Sequence, residues 1–279
     1  MFDRIKRSFD LVHASMEVLR HDKRLLLFPL ISGVALLFVL IAFALPVFGL
    51  ASIDGMHGGR AYSLGFLFYV VQYAVIFYFN TALVGAVMIH LDGGRPTLGD
   101  GLRIANSRFG TIVGYAVISA TIGVVLRAIQ ERLGFVGRFI VGLIGVGWSV
   151  ASFLVVPVIV VRDRGTFGSI SESAALLKRT WGENLIGQGG LGVAFGLIYL
   201  GLVFGTFAVA SIVGAVSGAP GPVLLVAAAF VLLAFLFCAL FHSTLSGIYS
   251  VVLYRYAADG NATPGFDGDV MAASFRRKS

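Results

Sequence analysis

The sequence predicts an all-α integral membrane protein: six transmembrane helices as three hairpins in a pseudo-threefold repeat, with cytoplasmic amphipathic interfacial helices. Three observations carry this expectation. Of 279 residues, 58% are hydrophobic and 13% charged, against roughly 25% charged in an ordinary soluble domain. The charges cluster, leaving long runs without Asp, Glu, Lys or Arg. A glycine turn, a threonine and a short polar stretch recur after every second run.

The uncharged runs are 25–50, 61–89, 109–126, 139–161 and 185–254, and each can fill a span of about 20 residues. The last is too long for one crossing. Pro220-Gly221-Pro222 splits it, because proline lacks a donor and glycine relaxes the backbone. Its halves, 185–216 and 223–254, are long for a hydrocarbon core of about 30 Å, so tilt, a break or projecting ends are expected. The first run exceeds a signal-peptide core of about 7 to 15 residues, and Ala42-Phe43-Ala44 within it is read as part of a retained helix.

Topology follows from the cations. All of the 21 Lys and Arg except Arg60, Arg127, Arg132 and Arg138 lie before the first run, in the loops 91–108 and 162–184, or in the tail from Arg255. The positive-inside rule then makes both termini cytoplasmic, in the inner membrane of a bacterium. The net charge of +7 fits segments facing an anionic leaflet better than a nucleic-acid surface. Cys238 has no second cysteine to pair with and says nothing about redox compartment.

The repeat emerges on aligning aspartates. Asp92-Gly93-Gly94-Arg95-Pro96-Thr97 follows the second span, Asp163-Arg164-Gly165-Thr166 the fourth, and Asp259-Gly260-Asn261-Ala262-Thr263 the sixth. Within a single domain, 1–279, the units fall at approximately 1–91, 92–161 and 162–258, with a last interfacial helix at 266–277. The N-terminus fits the same plan. Phe2, Ile5, Phe9, Val12, Met16 and Leu19 recur at helical spacing opposite Arg4, Lys6, Arg7, Asp10 and Glu17, a stripe suited to the headgroup region. In the second loop Ile170, Ala174, Leu177 and Trp181 form a similar stripe, with Ser169 or Ser171 the expected N-cap of a helix over 169–181. These helices are expected to cap the bundle. The sharper expectation is contact with headgroups or a partner through Arg95, Arg103, Arg108, Arg162, Arg164, Lys178, Arg179, Trp181 and Arg255.

Met1-Phe2-Asp3-Arg4-Ile5-Lys6-Arg7-Ser8, the entry Asp22-Lys23-Arg24-Leu25-Leu26-Leu27-Phe28-Pro29-Leu30 and the entry Arg179-Thr180-Trp181-Gly182-Glu183-Asn184 resemble an uncharacterised family of bacterial six-span membrane proteins. The resemblance extends over nearly the whole chain. It implies an all-helical membrane domain with short interfacial helices, and no established activity or catalytic residues.

Polar residues inside the even spans fall at similar depths. Counted back from Asp92, Asp163 and Asp259, they are Asn80 and Thr81, then Ser149 and Ser152, then His242, Ser243, Thr244 and Ser246. They sit roughly 16 to 26 Å from the cytoplasmic loops, near the midplane. Asn80, Ser149 and His242 are expected to face a shared cavity, and the competing account is simple packing between helices. Intramembrane histidine is the most suggestive of the set.

Gly147-Trp148-Ser149 with His242 superficially suggests a rhomboid-type intramembrane serine protease. Val150 follows the serine where a small residue is expected, and no oxyanion donor is identifiable. The sequence has no H-E-x-x-H, complete G-x-S-x-G or P-loop motif. Gly187, Gly189, Gly190 and Gly192 lack the preceding strand of a dinucleotide site. Gly142, Gly145 and Gly147, with Gly192, Gly196, Gly201 and Gly205, are read as faces for close helix contact.

The functional expectation is therefore non-enzymatic: a scaffold, assembly or lipid-interacting component with no cofactor and no metal. Its partners are the lipid bilayer and a membrane protein or second copy, with no nucleic acid. The alternative is a permease or channel-like protein for a small or amphipathic solute, although charged coupling residues are missing from the spans.

Overall fold

The computed structural model describes residues 18–20, 22–51, 59–217 and 220–259. The stripe expected at Phe2 to Met16 and the helix expected at 266–277 lie outside the described residues. A 3-10 turn, Lys23–Leu26, leads into α1 (Leu27–Ala51). There follow α2 (Gly59–Leu91), α3 (Leu98–Ser107), α4 (Phe109–Arg132), α5 (Phe135–Ala151), α6 (Val155–Val161), α7 (Gly165–Ser217) and α8 (Pro220–Asp259).

Among the described residues six stretches are long and apolar enough to cross a membrane: Lys23–Ala44, Ser63–Leu91, Phe109–Arg132, Phe135–Val161, Leu191–Ser217 and Gly221–Arg255. Each overlaps one uncharged run of the sequence. The chain is an all-α, multi-span integral membrane protein.

Local chemistry sets the ends of these helices. Gly93 (φ 82°) and Gly165 (φ 64°) take left-handed backbone after Asp92 and Asp163, a conformation that costs glycine nothing and other residues about 1 kcal/mol or more. Thr97 then caps α3. Its hydroxyl accepts from the Asp100 amide at 3.2 Å while the Asp100 carboxylate accepts from the Thr97 amide at 3.0 Å, a reciprocal capping box. The Thr97 hydroxyl and amide, with Arg103, hold the Asp100 carboxyl below its ordinary range.

The fourth span is broken, although its uncharged run reads as continuous. Pro157 has no amide hydrogen, and its ring excludes the carbonyl of Phe153 one turn back. The chain accordingly turns at residues 152–154, between α5 and α6. Ser173 of α7 repairs the break: its hydroxyl donates to Ala151 O at 2.7 Å and accepts from Leu154 N at 3.1 Å.

By contrast, α7 is continuous where a boundary is expected. It runs for 53 residues, about 80 Å at the usual rise, so the segment 169–181 and the fifth span are one helix. Neither Ser169 nor Ser171 is its N-cap, since the helix begins at Gly165. The Ser169 side chain lies one turn inside, donating to Gly165 O at 2.8 Å. The buried face here is Ser169, Ser173, Leu176 and Leu177; of the described residues of the expected stripe only Leu177 belongs to it, and Ile170 and Ala174 are half-buried.

α2 is the hub, packed against α1, α3, α4, α6 and α8. Leu25, Phe28, Leu83, Val87, Ile112, Leu154, Val158, Ile159, Leu245 and Ile248 form the core with it. These lie toward the ends of α2, α6 and α8 and the starts of α1 and α4. The far halves of the helices expose Phe38, Phe139, Phe204, Phe207, Leu225 and Phe237, surface that acyl chains solvate as well as leucine would.

Close helix approach uses other glycines than those read from the sequence. A Cβ on Gly142, Gly147, Gly192, Gly196, Gly201 or Gly205 would meet nothing within 4 Å. The tight sites are Gly85 against Ile104, Gly101 against Ala82 and Phe28, Gly114 against Thr166 and Gly247 against Leu83.

Tyr249, 1% exposed and packed beside Phe153, buries a hydroxyl without a hydrogen-bond partner among the described residues. Tyr249→Phe removes that penalty. The variant is expected to be more stable by about 1 kcal/mol in denaturant titration, and a loss of stability would mean that the hydroxyl has a partner.

Candidate functional site

Two cavities lie side by side within the bundle. The smaller, about 350 Å³, is lined by Asn80 and Phe77 from α2, Tyr115 from α4, Ser152 and Phe153 at the break, and His242, Ser243, Ser246 and Ser250 from α8. The larger, about 830 Å³, is a groove between α2, α4 and α5, walled by Tyr73, Phe77, Tyr115, Ser119, Leu126, Val146, Trp148, Ser149 and Ser152. Phe77, Tyr115 and Ser152 belong to both walls, so the two spaces adjoin.

The even spans thus do bring polar side chains together. Asn80, Ser152, His242, Ser243 and Ser246 share the smaller cavity. Ser149 faces the neighbouring groove instead. Thr81 faces neither. It is fully buried and donates to Phe77 O at 2.7 Å, as does Thr244 to Leu240 O at 2.8 Å, so both serve packing.

The cavity side chains differ in how far they are committed. Ser152 donates to Trp148 O at 2.8 Å and Ser250 to Gly247 O at 2.8 Å. Asn80, His242, Ser243 and Ser246 make no hydrogen bond to a described residue. The His242 ring is held instead by stacking on Phe195 of α7, centroids 4.5 Å apart and planes 16° from parallel. Tyr73, Phe77 and Tyr115 form a stacked ladder, with centroid spacings of 5.6 and 4.3 Å, which fixes the partition between the two spaces.

Ser119 escaped the sequence reading because it lies on an odd span, outside the set aligned on the aspartates. Its hydroxyl is buried beside the Tyr115 hydroxyl, without a well-formed hydrogen bond to a described residue. A helical spacing of four from Tyr115 was the one available signal.

Cations expected to meet headgroups are largely engaged by carboxylates. Arg108 Nη1 lies 2.6 Å from Asp163 Oδ1, and Arg255 Nη2 lies 2.5 Å from Asp92 Oδ1 and 3.3 Å from Met88 O. Arg162 Nε and Arg164 Nε flank the two oxygens of Glu172, each at 3.1 Å. The Arg162 guanidinium also reaches the Tyr254 hydroxyl at 3.5 Å. Arg103 pairs with Asp100. Arg95 and Lys178 are exposed, while the side chains of Arg179 and Trp181 lie outside the described residues.

These ion pairs gather the ends of α2, α6 and α8 and the starts of α4 and α7 at one pole of the bundle. Asp22 and His90, 3.8 Å apart, bring the entry to α1 to the same pole. The helices therefore alternate in direction, as odd and even spans must.

Ser149 and His242 line different spaces, and the His242 ring is stacked on Phe195. Nothing in that arrangement favours a serine-histidine pair. Among the described residues no group of three or more His, Cys, Asp or Glu is placed to hold a metal ion.

No curated protein and no solved structure matches the chain. A model of a family of unknown function, DUF6159, matches residues 60–266, most of the chain, and the protein belongs to that family.

Proposed function

We propose that this chain is a non-enzymatic, lipid-interacting component of a bacterial cytoplasmic membrane, of scaffold or assembly type, with both termini cytoplasmic. On this reading it is three hairpins in pseudo-threefold arrangement, capped on the cytoplasmic side by α3 and the first part of α7. The observation that supports it is the pair of adjoining cavities, one with uncommitted polar side chains and one walled by apolar and aromatic groups. A membrane amphiphile has the same two parts. The gathered arginines and carboxylates suit the basic pole to the anionic leaflet.

Protein purified in gentle detergent is expected to retain a lipid through delipidating washes, read by native mass spectrometry. His242→Leu should lower retention about fivefold, the equivalent of one hydrogen bond of about 1 kcal/mol. Protein that releases every lipid as readily as detergent would sink this reading.

One observation favours a permease for an amphipathic solute as a second reading. Ser152, at the break between α5 and α6, lines both cavities, and unwound backbone beside a cavity is where many transporters bind. Thiol reagents separate the two. A cysteine at position 152, in a Cys238→Ser background, should react from both faces of the membrane in a permease and from one face in a scaffold.

A further inference from the structure

We propose that the adjoining cavities hold one lipid with an uncharged, hydroxyl-bearing head, of the acylglycerol class. This deepens the lipid-interacting reading above and rests on it. The head occupies the smaller cavity among Asn80, His242, Ser243 and Ser246, and an acyl chain runs along the groove past Leu126 and Trp148.

The charge of the walls selects the head. None of the residues lining either cavity is Lys, Arg, Asp or Glu. A phosphate moved there would lose its water without gaining a cation, at a cost of several kcal/mol. Arg108, Arg162, Arg164 and Arg255 are at the pole of the bundle, each facing a carboxylate of the chain. A glycerol hydroxyl needs a partner that can both donate and accept. A carboxamide, a neutral imidazole and serine hydroxyls each meet that requirement.

Ser119 marks the junction of head and chain. The other buried Ser and Thr hydroxyls described in the spans close onto their own helix: Thr81 onto Phe77 O, Thr244 onto Leu240 O and Ser250 onto Gly247 O. Ser119 does not, though it is 5% exposed and lines the groove. Buried hydroxyls are otherwise nearly always satisfied. The Tyr115 hydroxyl beside Ser119 is the partner that a ligand would displace, and Tyr115 belongs to both walls, so an ester carbonyl accepting from Ser119 would place the glycerol on one side and the chain on the other. The two volumes, about 350 and 830 Å³, fall within the range of about 300 to 1,000 Å³ usual for ligand sites.

The test compares two lipids with identical chains. Full-length protein, delipidated in detergent, is titrated with dioctanoylglycerol or dioctanoyl phosphatidic acid while thermal unfolding is followed. Dioctanoylglycerol should raise the midpoint at about tenfold lower concentration than phosphatidic acid. Ser119→Ala should weaken the dioctanoylglycerol response about fivefold without lowering the midpoint of lipid-free protein. If delipidated protein does not stay folded, competition between the same lipids in nanodiscs reads the same preference by mass spectrometry. Equal or stronger binding of phosphatidic acid overturns the inference and leaves the lipid-interacting reading standing. Binding of neither lipid overturns both. An unchanged response in Ser119→Ala removes the assignment of the ester contact and, with it, the order of head and chain.

Discussion

Gly101→Ala is expected to destabilise the protein by about 2 kcal/mol, although alanine is the better helix former. A Cβ at this position of α3 would stand 2.5 Å from Ala82 O and 2.7 Å from two ring atoms of Phe28. The carbonyl belongs to the backbone of α2 and moves only if that helix moves. Overpacking of this kind costs about 1 to 3 kcal/mol. The upper end applies because the ring is itself buried in the core. Helix propensity returns up to about 1 kcal/mol, which leaves the stated balance. Gly99→Ala is the matched control: its nearest neighbour would be the Thr97 hydroxyl at 3.7 Å, so only the propensity gain remains. Equal unfolding midpoints for the two variants in mixed micelles would mean that α3 is not docked on α2 as described.

That docking shows which parts of the fold could be read in advance. Uncharged runs gave the spans because a charge in hydrocarbon costs more than any local preference can offset. The clustering of Asn80, Ser152, His242, Ser243 and Ser246 was legible for a related reason. Helices are rigid rulers, so similar counts from Asp92, Asp163 and Asp259, from 11 to 17 residues, become similar depths. Faces were harder. Ser149 and Ser152 are three residues apart and both line the larger groove, yet only Ser152 also reaches the smaller cavity, and the sequence holds no information on where the Phe77 and Tyr115 rings divide the two spaces.

Boundaries failed in both directions. Gly182, Glu183 and Asn184 look like a helix end, but propensity is a weak prior and α7 runs through them. Pro157 was a clear breaker inside a run taken as one span. Its consequence depends on a residue in another helix, Ser173, that no local pattern connects to it. The glycine stripes failed for the same reason. Small residues permit close approach without specifying a neighbour, and Gly192, Gly196, Gly201 and Gly205 have none within the described chain.

Ser173→Ala should be more costly than Gly101→Ala, at about 3 kcal/mol. The Ser173 hydroxyl is the hydrogen-bond partner of Leu154 N and also donates to Ala151 O, and Ser173 and Leu154 are both 0% exposed. Without it, the buried Leu154 amide and the Ala151 carbonyl, both left unpaired within the helix by the turn at residues 152–154, lose their partner. Each such group costs about 1 to 3 kcal/mol, and more in a bilayer, where non-helical backbone survives only if the protein satisfies it. Some relaxation toward the cavity at Ser152 offsets the full sum. Ser169→Ala provides the contrast. Ser169 is equally buried, but its hydroxyl serves only the Gly165 carbonyl of its own helix, so its loss should change stability by less than about 0.5 kcal/mol. Hydrogen exchange gives a second, local reading: the Leu154 amide should exchange faster in Ser173→Ala and at its normal rate in Ser169→Ala. If the two variants behave alike, the break in the fourth span does not depend on α7, and the wall shared by the two cavities is held by something other than this serine.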